Sequence, residues 1–385
     1  MKIQMQAEDF KAITQRAAVA TAKKSIAPIM ESVLIETEGN KIIAKGCSYG
    51  YYAEVTTDVV SVIEEGGIVI HRDSLESLYS MKGTITLESA EKAGIVKSAK
   101  KTSRFFVQDE VKDFLSPPVG EDKRAFTIKL SKLLETLAKI KPYLSKSEAK
   151  PLFQGIHIIG ESGLGTFYGC EGTYAIRQRI HGNFETFDFA IPETGKEIKD
   201  VSGIRNYKED CDIKVSYRNG FVTYEGTDFK YTVRMLEGKY PNLADIFNST
   251  FEDSFNVNAD EICKLAKEYK KILVCKVAGS KTILPMRFTN IGGGLSAMAL
   301  GNYIQTVDRL ETANECTMTE EYIQCFNPEY VELVMKTFGK EEIHIDLRAF
   351  LWRINGSDDC SALLVPIRMD KTDSSKIHDF VEKVA

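Results

Sequence analysis

Residues 126–137 read FTIKLSKLLETL, and their apolar positions change period part-way through. Phe126, Ile128 and Leu130 alternate with polar residues, which predicts a strand; Leu133, Leu134, Leu137 and Ile140 then fall on one face of a helix, with Ser131 placed to cap it. The same order opens the chain, where Ile3 begins an alternating strand 123 residues before Phe126. That shift also carries Pro28 onto Pro151, Gly46 onto Gly169, Cys47 onto Cys170 and Tyr51 onto Tyr174. The hairpin patterns ESVLIETEGNKIIAKGC and QGIHIIGESGLGTFYGC lie in the same register, so the match runs without a gap over about fifty residues. A third copy starts at FNVNADEICKLAKEYKKIL, residues 255–273, with Phe255 and Val257 as strand positions and Asp260 as its predicted N-cap. Its later hairpin, RFTNIGGGLSAMALGN, ends on the same apolar-then-glycine pattern at Gly301.

Each copy has a second half built like the first. GIVIHRDSLESLYSM, FAIPETGKEIKDVSG and YIQCFNPEYVELVMKTF each read as a strand, a polar or proline cap and a helix, and a hairpin follows each. In the second copy Asn219-Gly220 predicts a type I′ turn. One helix with about four strands is thus used six times. The expected fold is α+β, with three repeated domains, each of two strand-helix-strands units, and with helices segregated to one face of antiparallel sheets. The expected boundaries are 1–124, 125–251 and 252–370, followed by an extension at 371–385.

Composition changes this picture little. A chain of 385 residues, 43% hydrophobic and 27% charged, can bury a core in each domain. The first residues carry charge and amide where a signal peptide needs an apolar run, and no apolar stretch reaches membrane-spanning length, so a cytoplasmic protein with no membrane partner is expected. The eight cysteines form no C-x-x-C pair and share no metal-ligand spacing with the five histidines; neither metal nor cofactor is expected. There is no Walker loop, no G-x-S-x-G and no H-E-x-x-H, and Gly292 to Gly294 lie in a hairpin region. Cys170 with His157 is the nearest approach to a nucleophile pair, but His157 falls at a strand position where histidines are commonly structural. No catalytic residue is assigned.

Charge placement is more informative than the net −5. The first helix region of each copy carries cations beside its apolar stripe: Lys11, Arg16, Lys23 and Lys24; Lys132, Lys139, Lys141, Lys146 and Lys150; Lys264, Lys267, Lys270 and Lys271. Such helices facing a common centre would give an acidic chain a basic lining that meets phosphate rather than bases. Glu135, Glu148, Glu261 and Glu268 on the same helices are also consistent with ordinary solvated faces.

Over residues 1–369 the triplicated chain resembles the bacterial β sliding clamps, processivity factors of replicative DNA polymerase. KKSIAPI (23–29), SRFFV (103–107), LEGKYPNLADIF (236–247) and LLVPIRM (363–369) are similar to that family's segments in sequence and in order. The resemblance implies that the chain forms half of a ring: a head-to-tail homodimer of six domains whose helices line a hole for duplex DNA. Its partners would be sequence-independent duplex DNA, the replicative polymerase, a clamp loader and other proteins bearing a clamp-binding motif. By resemblance Lys24, Lys150 and more weakly Arg72 contact DNA, joining Lys139, Lys146, Lys267 and Lys271 from the helix-face reading. Phe105, Val107, Ile272 and Leu273 match the dimer interface, although each alone also reads as core.

The resemblance also implies a groove for partner peptides between the second and third domains. Matching positions are Phe153, Cys170, Gly172, Thr173, Tyr174 and Ala175, then Pro241, Asp245 and Ile246, then Leu363, Leu364, Val365, Pro366, Ile367 and Arg368. An extended peptide needs backbone partners and apolar slots, which these residue types supply. Two departures stand out. The family's TDGHRL is here CEGTYA, so Thr173 and Tyr174 replace a histidine and an arginine, and Asp245 stands where a basic residue is usual. A changed preference relative to the usual Q-x-x-L-F type of motif is therefore expected. In the extension, Ile377, Phe380 and Val384 would make an apolar stripe on a short helix, against the alternative of a polar flexible end. The rival reading of the whole chain is a clamp-fold scaffold that binds partners without encircling DNA. A trimer of two-domain subunits is disfavoured because three copies are present.

Overall fold

Seven helices occur among the described residues of the computed structural model: α1 (Ala7–Ala17), α2 (Arg72–Leu78), α3 (Leu130–Ile140), α4 (Gly195–Ser202), α5 (Leu243–Phe247), α6 (Ala259–Leu273) and α7 (Pro328–Phe338). The described residues are 1–58, 61–90, 92–107, 109–203, 210–277, 280–291, 294–311, 323–348, 351–357 and 359–368, so the extension at 371–385 and its expected stripe lie outside them. Six helices are those of the repeat pattern, and α5 is one added turn within LEGKYPNLADIF.

Two expected caps are replaced by others. Asn258, not Asp260, caps α6: its Oδ1 accepts from Asp260 N at 3.0 Å. For α3 the cap comes from a distant residue, since the Asp210 carboxylate accepts from Ser131 N at 3.0 Å and from Ser131 Oγ at 2.5 Å. A carboxylate at a helix N-terminus satisfies amide donors that have no partner within the helix. Both central residues of the Asn219-Gly220 turn have positive φ, 45° and 78°, as a type I′ turn requires.

The chain separates into two compact units. One comprises Met1–Ala138, Ile159–Gly165 and His181–Glu237; the other comprises Lys139–Ile158, Thr166–Ile180 and the described chain from Gly238 onward. In the first unit a five-stranded sheet ends on the edge strand Thr102–Phe106, and a nine-stranded sheet crosses the boundary between the first two copies. The crossing is made by Phe229–Arg234 pairing antiparallel with Tyr51–Asp58. A row of alternating charge runs over it: Lys214, Glu225, Lys230, Glu54 and Lys45 stand opposite one another on successive strands. Within the same unit Arg16 of α1 donates to the Val201 carbonyl of α4 at 2.7 Å and forks onto Asp228 at 2.7 and 2.8 Å.

In the second unit Cys360–Leu364 pairs with Tyr174–His181 and joins the second copy to the third in the same manner. The correspondence extends to one hydrogen bond: Arg234 N donates to Gly50 O at 2.8 Å in the first join and Val365 N donates to Thr173 O at 2.9 Å in the second. Trp352 is fully buried there, packed on Phe326 and Phe288 with ring centroids 4.5 and 4.8 Å away.

The glycines that mark the repeat have a steric cause. A Cβ on Gly46 would lie 2.1 Å from Ala17 O, and one on Gly301 would lie 2.7 Å from Ile272 O. On Gly169 it would lie 2.6 Å from Ile140 Cγ2 and 3.3 Å from Ile140 O. The three partners lie in the last turns of the first helix of each copy, and Ala17 to Ile140 spans the same 123 residues as Gly46 to Gly169. Each copy thus sets the end of its helix directly on a strand, at a spacing that excludes any side chain. Gly46→Ala and Gly169→Ala are each expected to lower stability by ~1–3 kcal/mol, as overpacking of a close-packed site does, read as a lowered urea midpoint with an unchanged slope.

Candidate functional site

The cations fall into two groups. Lys24, Lys146, Lys267 and Lys271 are exposed, and none is within an ion pair among the described residues. On α6 the apolar face, Ile262, Cys263, Ala266, Tyr269 and Leu273, is buried, which turns Lys264, Lys267 and Lys271 to the surface. Lys24 stands on a loop that is fixed locally: Ser25 N donates to Glu31 Oε1 at 2.6 Å, and Ser25 Oγ lies 2.9 Å from Tyr49 OH. The second group is engaged within the chain. Lys139 donates to Gln178 Oε1 at 3.1 Å, Lys150 to Glu171 O at 2.9 Å, and Arg72 to Ala22 O at 3.4 Å. Lys264 pairs with Asp260 at 2.7 Å, Lys132 with Glu135 at 3.6 Å, and Arg16 is held by Asp228. Sequence spacing shows the local pairs, Lys264 with Asp260 and Lys132 with Glu135, but not the others, because Glu171, Gln178 and Asp228 are remote in sequence from the cations they engage.

The expected groove residues all lie in the second unit and form two aromatic clusters joined by the turn 170–174. In one, Tyr240 stacks on His157 at 4.5 Å and meets Phe153 edge-on at 5.9 Å, while Phe247 packs on Tyr168 at 5.9 Å. In the other, Tyr174 lies between Tyr143 and Tyr330, at 5.8 and 4.9 Å. Burial pushes the Tyr174 hydroxyl up to about 12, so it stays neutral. The backbone hydrogen bonds Val365 N to Thr173 O (2.9 Å) and Ile367 N to Cys325 O (2.7 Å) tie the terminal segment in place. Leu363 and Leu364 are core, Ala175 is buried, and Pro366 is half-buried. Ile246, Val365 and Ile367 stay 38%, 37% and 44% exposed, beside exposed Pro241, Asp245 and Arg368. Gly172 has φ +114°, which accounts for glycine in the turn.

Of the residues matched to the interface, Phe105 and Leu273 are buried within this chain, and the Phe105 ring covers Gly94. Val107 and Ile272 are half-buried. The aromatic that faces outward is Phe106, 77% exposed on the edge strand Thr102–Phe106 with the Arg104 guanidinium 6.0 Å from its ring centroid; the resemblance did not mark it. Tyr303 and Ile304, beside the edge strand Gln305–Arg309, are also exposed.

Burial raises the Cys170 thiol above its ordinary range, which works against a thiolate beside His157. Among the described residues there is no group of three His, Cys, Asp or Glu that could hold a metal, and no helix is long and apolar enough to cross a membrane.

No family model matches the chain. A curated relative, the beta sliding clamp of Staphylococcus aureus, is 21% identical over 365 residues, covering 91% of this chain and 94% of the relative. Among solved structures, a putative DNA polymerase III beta subunit from Eubacterium rectale superposes with a TM-score of 0.81 at 15% identity, over 96% of this chain and 100% of that one. The Pseudomonas aeruginosa sliding clamp bound to griselimycin gives 0.80 at 15% identity with the same coverage. This chain has the sliding-clamp fold. Sliding-clamp relatives and neighbours thus span nearly the whole of it, the three copies included.

Glu332 shows how the basic face of this clamp fold is balanced. Its carboxylate accepts from Lys336 at 2.7 Å and Lys270 at 2.9 Å, joining α6 to α7, and these ammonium groups hold its pKa below the ordinary glutamate range. A depressed folded-state pKa contributes stability that is fully present above the unfolded value of about 4.3 and is lost as pH falls through the folded value. Glu332→Gln is expected to cost about 1 kcal/mol at pH 7 and progressively less below pH ~4, measured by urea unfolding of both proteins across that range.

Proposed function

We propose that this protein is a DNA sliding clamp: a head-to-tail homodimer that encircles duplex DNA and tethers a replicative polymerase and other partners. The observation that carries this reading is the three-copy architecture of the sliding-clamp fold, with a separate edge strand available in each unit for closure. We read the copies as domains 1–124, 125–251 and 252–370 of half a ring. Thr102–Phe106 of one subunit would pair with Gln305–Arg309 of the other, covering Phe106, Val107 and Ile272 with Tyr303 and Ile304. Unpaired strand edges bearing apolar side chains are costly to leave in water, which favours closure. Lys24, Lys146, Lys267 and Lys271, which have no ion pair among the described residues, would meet phosphate; Lys139, Lys150 and Arg72 would share it with their present acceptors. Loose contacts across water and counterions suit a ring that slides. The chain itself performs no catalysis in this reading, and it works in the cytoplasm with a clamp loader that opens the ring.

Partner peptides would dock over Tyr174 and the Tyr240 cluster, between Ile246 and Val365–Ile367. With Thr173 and Tyr174 in place of longer polar side chains, apolar anchors should carry more of the affinity than polar ones.

Negative-stain imaging near physiological salt is expected to show two-subunit rings with a central hole. Phe106→Asp should yield monomers by sedimentation without lowering the melting temperature of the subunit. Monomeric wild-type protein well above cellular concentration would instead support the partner scaffold that does not encircle DNA. Lys24→Glu with Lys267→Glu and Lys271→Glu should weaken retention on closed circular DNA and flatten its salt dependence by about one unit of log-log slope per lost phosphate contact. Rings retained on DNA equally well with all three lysines reversed would refute the assigned surface.

A further inference from the structure

We propose that Arg177 and Arg353 are positioning residues of the partner groove, holding α5 so that Ile246 and Asp245 form its wall. The inference rests on the groove reading above. A helix of five residues cannot stand alone, since nucleation is unfavourable and the carbonyls at its C-terminus lack partners within it. Here the last of those carbonyls, and groups just beyond the helix, are met from the sheet beneath. Arg353 Nη1 donates to Phe247 O at 2.7 Å and to Ser249 O at 3.4 Å. Arg177 Nη1 donates to Asn248 Oδ1 at 2.8 Å, and its guanidinium lies 4.7 Å from the centroid of the Phe247 ring. Two others close locally, with Asn248 N on Ala244 O at 2.9 Å and Ser249 Oγ on Ile246 O at 2.8 Å.

The two arginines occupy one face of the sheet. Arg177 stands opposite Ser361 and Arg353 opposite Leu363, two residues apart on the strand between them. Arg353 is itself fixed: Asp346 accepts from its Nε at 2.9 Å and its Nη2 at 2.8 Å, and Asp346 is steadied by Asn355 at 2.6 Å. Phe251 covers the guanidinium of Arg353 at 4.2 Å. A planar fork with five donors can bind a carboxylate and two carbonyls together, which an ammonium cannot do in that geometry. Arg177 is 7% exposed and Phe247 fully buried, while Ile246 between the held atoms remains 38% exposed. Sheet contacts hold one side of the turn, and the other side is presented outward.

Arg353→Lys keeps the charge and loses the fork, and Asn248→Ala removes the acceptor of Arg177. Hydrogen exchange of the amides at 243–249 and binding of labelled Q-x-x-L-F-type peptides varied at their first position would be measured on wild type and both variants. The expected result is about tenfold loss of protection confined to 243–249, with about tenfold weaker binding of the best peptide and intact dimers, as loss of a charged hydrogen bond implies. Unchanged protection in both variants overturns the proposal, as does lost protection with affinity kept within about twofold. A wild-type chain that binds none of the peptides refutes the groove reading and this inference with it. That outcome is distinct because it precedes any substitution.

Discussion

The fold depends on a contact that leaves no room for a side chain. In each copy the last turn of the first helix meets a strand at a glycine, Gly46 on Ala17, Gly169 on Ile140 and Gly301 on Ile272. The contact sets how far the helix sits from the sheet, and hence which helix residues are covered and which remain outside. On α6 that distance buries Ala266 and Tyr269 and leaves Lys267 and Lys271 in water. The basic face is in this sense a by-product of backbone packing: once the apolar stripe is seated, the lysines have nowhere else to point.

The repeat was legible in the sequence because period and glycine spacing are local properties of the chain. Helix positions, hairpins and the Asn219-Gly220 turn could be read off the alternation of apolar residues, and the structure has them. Helix starts were less legible, since the groups that complete them are not always adjacent. Asp210 caps α3 from 79 residues away, and Asn258 displaces the nearby Asp260. Compact units do not coincide with the copies, because a strand of one copy pairs with a strand of the next.

Candidate site residues divided along the same line. Their positions could be assigned by resemblance, but their availability depends on partners far away in sequence. Lys150 is turned back onto Glu171, Lys139 onto Gln178 and Arg16 onto Asp228. Lys267 and Lys271 on α6 have no ion pair among the described residues. Phe105 and Phe106 are adjacent and chemically alike, and only the pleat decides that one covers Gly94 while the other faces out.

Under the proposed function, the two joins between copies differ in what they offer a peptide. They share a backbone: Arg234 N on Gly50 O in the first and Val365 N on Thr173 O in the second. In the first join the linker covers part of the surface, and a cavity of about 320 Å³ lined by Tyr52, Leu115, Pro117 and Arg218 remains. Phe114 packs against Leu34, Cys47 and Val69 with Tyr52 alongside, and Arg234 is paired with Glu237. In the second join Val365 stands where Arg234 stood and Ile367 where Leu236 stood, while Arg368 takes the place of Glu237; Val365 and Ile367 are both exposed. Apolar side chains exposed at Val365 and Ile367 gain little from water, so in this reading the second join carries apolar area that a partner would cover, whereas Arg234 at the position matching Val365 is ion-paired in the first. A duplicated joint has kept its geometry and diverged in chemistry. Under the proposed function, exposed Val365 in place of ion-paired Arg234, together with Ile367 and Ile246, favours the second join for partner binding.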